Sequence, residues 1–224
     1  MGKEYTRPVD VISNTPAFGN LIVYEDFSKG NSLTVTASGE DFIATIQSVL
    51  VFSGLSSFYM KTRYTDAAAA DMVRISRRAY IKPEQLLGFD AGFRLPSVLT
   101  DPIIRFELNS TSLIGTKCCE ILWYASDEKW YYADADGNYT EIDGIARPML
   151  PHWWHHFHIV WNVASNKIKF FSINQYILEC SSLVLFESLA ASSVNFFFRI
   201  TIEATNNQRP VMLVDNIRIS TMEI

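Results

Sequence analysis

Period-two alternation of apolar and polar residues recurs along most of this chain, and it leaves almost no stretch that could form a helix. Ile104-Arg105-Phe106-Glu107-Leu108-Asn109 puts Ile104, Phe106 and Leu108 on one face of a strand and the charged groups on the other. Phe157, Ile159, Trp161 and Val163 alternate with polar neighbours in the same way. So do Phe196, Phe198, Ile200 and Ile202, with Arg199, Thr201 and Glu203 opposite. Phe58 to Tyr64 makes another such segment. Turn signals at Ser38-Gly39, Asp136-Gly137-Asn138, Ser165-Asn166 and Asn206-Asn207 separate the segments, so the pattern predicts roughly a dozen or more strands at about the 8–12-residue spacing of antiparallel sheets. The best helical candidates, Ala67 to Ala70 and the region around Glu187 to Ala191, amount to about a turn each. Parallel α/β folds are excluded, because each crossover would need a helical segment of a dozen or so residues. With no repeat of fixed period to suggest a propeller or solenoid, the expectation is an all-β, two-sheet antiparallel jelly-roll sandwich.

The composition fits one such sandwich. Of 224 residues, 48% are apolar and 13% aromatic, enough for a wide pleated core, and all-β domains of this length are common. Residues 1 to about 20 carry Pro8, Asn14-Thr15-Pro16 and Gly19 without periodicity and are expected to form an arm, with residues 21–224 as the β-sandwich domain. Lys and Arg number 19 against 24 Asp and Glu, which argues against a nucleic-acid partner. The longest apolar runs are strand-length, so no membrane-spanning helix is expected. Cys118, Cys119 and Cys180 form neither a paired framework nor a metal-ligand spacing.

Three segments in order carry a resemblance. They are Tyr24-Glu25-Asp26-Phe27, then Trp154-His155-His156-Phe157-His158 continuing through a Ser165-Asn166-Lys167 turn to Asn174, and finally Met212 to Ile219. Together they resemble the concanavalin A-like lectin/glucanase sandwich. The resemblance implies that the first and last strands lie side by side, and it leaves function open, since such superfolds host many activities.

Several side-chain groups carry candidate chemistry. Trp130, Tyr132 and Tyr139 flank the Asp136-Gly137 turn, and aromatic planes there could stack on the apolar faces of sugar rings. The same rings would equally fill a core. Arg74 and Arg78 share one face of their strand and could hold a carboxylate or sulfate, with Lys61 and Arg63 joining them if the preceding strand forms a hairpin in register. His156 and His158, two apart on a strand, could offer two imidazoles to a metal such as zinc. The paired carboxylates of a glycosidase have their nearest match in Glu141-Ile142-Asp143, with Ala146 where the acid/base residue should stand.

Asp215 falls among Val211, Leu213, Ile217 and Ile219 of one parity. A carboxylate there requires either a bulge that turns it away or a partner, and a structural calcium ion shared with Glu25 or Asp26 is one such partner. The expected function is non-catalytic, lectin-like carbohydrate binding. The alternatives are a structural or assembly subunit forming a homo-oligomer, as in a surface layer or virion, and a glycoside hydrolase or polysaccharide lyase with an unrecognised site.

Overall fold

The computed structural model describes residues 21–28, 32–38, 42–62, 71–79, 86–96, 102–113, 115–145, 149–188, 195–205 and 209–222. The predicted arm, Arg63 and the Ala67–Ala70 segment lie outside them. Every regular element described is a strand: β1 (Leu21–Glu25), β2 (Thr34–Ala37), β3 (Ile43–Gln47), β4 (Ser57–Lys61), β5 (Met72–Ala79), β6 (Leu86–Arg94), β7 (Ile103–Ser112), β8 (Gly115–Tyr124), β9 (Lys129–Ala133), β10 (Tyr139–Glu141), β11 (Trp154–Asn162), β12 (Lys167–Ile173), β13 (Tyr176–Glu179), β14 (Glu187–Ser188), β15 (Asn195–Glu203) and β16 (Val211–Met222). Glu187 and Ser188, at the head of the second helical candidate, thus belong to a short strand.

The strands form two antiparallel sheets of eight. The first runs β13-β12-β11-β6-β16-β4-β3, with β1 also on β16, and the second runs β10-β9-β8-β7-β15-β5-β2, with β14 also on β8. Between them lies the core that the alternation predicts: Phe106, Leu108, Phe157, Ile159, Trp161, Phe196, Phe198, Ile200 and Ile202 are all buried. Phe106 from the second sheet stacks on Phe157 from the first, with ring centres 4.0 Å apart and planes within 11°. At about 25 cal/mol per Å² of apolar surface, such a layer supplies the main drive for closing the sandwich.

Turn chemistry sets the register. Asp134 Oδ1 accepts from the backbone N–H of Asp136 and Asn138, while Oδ2 accepts from the Thr140 hydroxyl, closing the β9–β10 hairpin around Gly137 at φ 81°. Asn166, at φ 52°, turns β11 into β12 and accepts from the Trp161 indole at 3.3 Å. His155 of the Trp-His pair points into the core. Its Nε2 donates to the Leu150 carbonyl at 2.9 Å and its Nδ1 accepts from the Asn174 amide at 3.1 Å, so the ring ties a loop to the β12–β13 turn. Burial lowers its pKa, in keeping with this neutral form.

The first and last strands are neighbours, Glu25 lying opposite Ile217. On the same edge of β16, Val211 to Val214 pair with β4 and the residues from Ile217 onward with β1. A bulge between Asp215 and Arg218, with Asn216 at φ 54°, marks the change of partner.

Candidate functional site

The outer face of the second sheet gathers charged side chains from six strands. Register fixes three rows. Arg74, Thr201, Arg105, Leu122, Tyr131 and Glu141 are successive cross-strand partners from β5 to β10. Beside them run Ser76, Arg199, Glu107 and Glu120, and then Arg78, Phe197, Asn109 and Cys118. Apart from the apolar Leu122, Phe197 and Cys118, these are polar or amphipathic positions that alternate with core residues along their strands, so the alternation that builds the core also builds this face.

Most of the charges are matched. Arg199 Nη1 lies 2.8 Å from Glu107 Oε1, which also accepts from Asn109 Nδ2 at 2.7 Å. Arg105 bridges Glu120 at 2.7 Å and Glu203 at 3.5 Å, and the Tyr139 hydroxyl donates to Glu120 at 3.1 Å. Burial raises the Glu120 carboxyl above its ordinary range, with Arg105 opposing and Glu107 adding to the effect. Burial and then the Glu120 charge push the Tyr139 phenol up to about 12, so it remains a hydrogen-bond donor at neutral pH.

Arg74 differs from its neighbours. Among the described residues its guanidinium reaches only the Thr201 hydroxyl, at 3.2 Å from Nε, and the Met72 sulfur, at 3.7 Å from Nη2. Burial, followed by repulsion from Arg199, lowers its pKa, against the opposing pull of Glu107.

The sequence expectations fare unevenly on this face. Arg74 and Arg78 project from it together, and Tyr139 stands at its edge, 43% exposed. Trp130 and Tyr132 do not: at 1% and 8% exposure they point into the sandwich, with Trp130 stacked on Phe106 at 6.4 Å. The sugar platform read at those two positions is corrected, since strand parity sends Tyr131 outward instead. Lys61 also leaves the expected strip, because β4 belongs to the first sheet and β5 to the second, so no β4–β5 hairpin exists. Arg105 and Arg199 supply the neighbouring guanidiniums. Glu141 pairs with Lys129 at 2.7 Å at the sheet's edge, while Asp143 sits in the following turn.

On the first sheet, Asp215 has its lone pairs engaged. Its Oδ2 accepts from the N–H of Phe52 and Ser53, each at 3.0 Å, and its Oδ1 from that of Asn216 at 2.7 Å. Glu25 accepts from Phe27 N–H and the Ser32 hydroxyl, and Asp26 from Ser28. The bulge and these backbone N–H groups account for the Asp215 carboxylate on an otherwise apolar strand. His156 and His158 both face Asp90 on β6: His158 Nδ1 is 2.8 Å and His156 Nε2 3.4 Å from Asp90 Oδ1. Among the described residues no three His, Cys, Asp or Glu side chains are grouped so as to hold a metal ion.

No protein-family model and no curated protein matches the chain. Solved structures do. An endo-β-1,4-glucuronan lyase from the fungus Trichoderma reesei superposes with a TM-score of 0.65 at 13% identity, over 91% of this chain and 96% of that one. A carbohydrate esterase from the Shiga toxin-encoding bacteriophage phi24B gives 0.63 at 12%, over 91% and 99%. A glycoside hydrolase family 16 endo-glucanase from Bacteroides ovatus gives 0.56 at 12%, over 88% and 99%. At these identities the likeness is one of fold, and that fold is the concanavalin A-like jelly roll.

Proposed function

We propose that this chain binds carbohydrate, and that the outer face of its second sheet receives an acidic polysaccharide. The observation carrying this reading is Arg74. On a face where Arg105 and Arg199 are matched by glutamates, its guanidinium lacks a carboxylate among the described residues and sits two rows from the exposed Arg78. A planar guanidinium with free donors suits the bidentate grip of a uronate carboxylate. The Tyr139 ring, exposed at the face's edge, offers a stacking surface to the sugar. The carbohydrate-acting neighbours of the same fold are consistent with this use of the sandwich.

Glu107 and Glu120 support a second reading. They are direct cross-strand partners, and burial raises the Glu120 carboxyl toward the protonated form that an acid catalyst requires. Titration calorimetry with polyglucuronate, alginate and polygalacturonate beside neutral β-glucans, run alongside an assay for released chain ends, separates the readings. Binding of the uronates without product supports the first, and chain ends that vanish in Glu120→Gln support the second. No affinity for any of these polymers overturns both.

A further inference from the structure

The opposite face of the sandwich carries a second constellation that the polysaccharide reading does not use. A single cross-strand row on the first sheet runs Ser172, His158, Asp90, Arg218 and Tyr24. At one end of it a cleft of about 380 Å³ is lined by Leu21, Tyr24, Asp90, Arg218 and Ser220.

Three features of that cleft point to a ligand. Asp90, 5% exposed, lines the cleft, and both imidazole contacts fall on its Oδ1. Arg218 stands opposite Asp90 in the register yet lies over the Tyr24 ring, its guanidinium carbon 5.2 Å from the ring centre. Ser220, 2% exposed, has a buried hydroxyl without a hydrogen-bond partner among the described residues. An unpaired buried hydroxyl costs stability and calls for an explanation. Room beside it comes from Gly88, its partner across the ladder, which puts no side chain on this face.

We propose that this cleft binds a single sugar unit, separately from the polysaccharide face. Charge selects the class. A carboxylate and a guanidinium side by side disfavour a free anion or cation alike and suit a neutral ligand whose groups both donate and accept. Vicinal hydroxyls on a pyranose do this: one donates to the Asp90 carboxylate, its neighbour accepts from Arg218, and a third pairs with Ser220 Oγ. The ring's C–H face meets Tyr24 and Leu21, 43% and 59% exposed. The volume lies near the bottom of the roughly 300–1,000 Å³ range of ligand pockets, which fits one ring better than a chain.

Ligand-observed NMR on the intact protein with methyl glycosides of glucose, galactose, mannose, xylose and N-acetylglucosamine tests the proposal. At least one glycoside should bind saturably, and Tyr24→Ala and Arg218→Met should each weaken it by about tenfold or more. Tyr24 is exposed, so its removal leaves the fold in place. Ser220→Ala should fold with an unchanged or higher melting temperature and still bind several-fold more weakly, a combination that a purely structural serine would not produce. Arg74→Met should leave glycoside binding unchanged. Saturation by none of the five, binding that survives both Tyr24→Ala and Arg218→Met, or binding lost in Arg74→Met overturns the proposal. The last result would assign the sugar to the other face.

Discussion

The two outer faces of this sandwich use charge in opposite ways. On the second sheet guanidiniums are matched by carboxylates, Arg105 and Arg199 finding glutamates at 2.7 Å and 2.8 Å. On the first sheet Asp90 and Asp215 use other partners. Asp90 is held by two imidazoles, and Asp215, 0% exposed, by three backbone N–H groups. Alternation alone makes both faces polar, while cross-strand register decides whether the charges cancel. The two proposed recognition sites, Arg74 on one face and the Asp90–Arg218 cleft on the other, are places where no guanidinium–carboxylate pair closes among the described residues.

The two aspartates provide the largest test of this contrast. Burial opposes ionisation of Asp90, but the hydrogen bonds from His156 and His158 outweigh it and lower the carboxyl from 3.8 to about 2. At about 1.36 kcal/mol per pH unit this corresponds to roughly 2 kcal/mol, present above pH ~4 and lost as the pH falls toward ~2. Asp90→Asn should lower stability by roughly that amount at pH 7 and remove this part of the acid dependence in urea titrations.

Asp215 carries the opposite sign. Burial raises its carboxyl to about 6 in spite of the amides of Ser53, Asn216 and Phe52. Its contribution is therefore complete below pH ~4 and is lost as the pH rises through ~6, so Asp215→Asn should flatten the stability profile in that upper window and leave the window below pH 4 alone.

On the other face the effects shrink with exposure. Arg105→Met leaves Glu120 and Glu203 without their cation in a site where the arginine side chain is 23% exposed, and should cost roughly 1–2 kcal/mol, read by thermal or urea unfolding. Lys129→Ala should change nothing measurable. Its contact with Glu141 is equally short, at 2.7 Å, but both side chains are open to water. Should Lys129 prove as costly as Arg105, burial would not be what separates these pairs.

Much of the sandwich was legible because its signals are local. The alternation at Phe106, Phe157 and Phe198 fixed which residues face inward, and Asp136-Gly137-Asn138 and Ser165-Asn166 marked hairpins that form. The site was less legible because it is assembled between strands distant in sequence. Arg105, Glu107 and Arg199 could be read as outward-facing, yet nothing local says that β15 lies beside β7. Nor does Trp130-Tyr131-Tyr132 reveal which parity faces the core, since all three rings suit either side. The packing of Trp130 against Phe106 decides it, and that depends on the second sheet's order. Asp215 was legible as an exception, because a carboxylate on an apolar parity requires a bulge or a partner, and β16 displays the bulge.

The most direct test of the account is calorimetric titration of polyglucuronate and a neutral β-glucan into the parent protein and Arg74→Met. Arg74 carries no ion pair among the described residues, so the variant should keep the parent's melting temperature. The account predicts that the parent prefers the uronate, and that Arg74→Met weakens uronate binding by roughly tenfold or more while leaving the neutral glucan unaffected. Equal affinity for both polymers in the parent, or uronate binding unchanged in Arg74→Met, would contradict it.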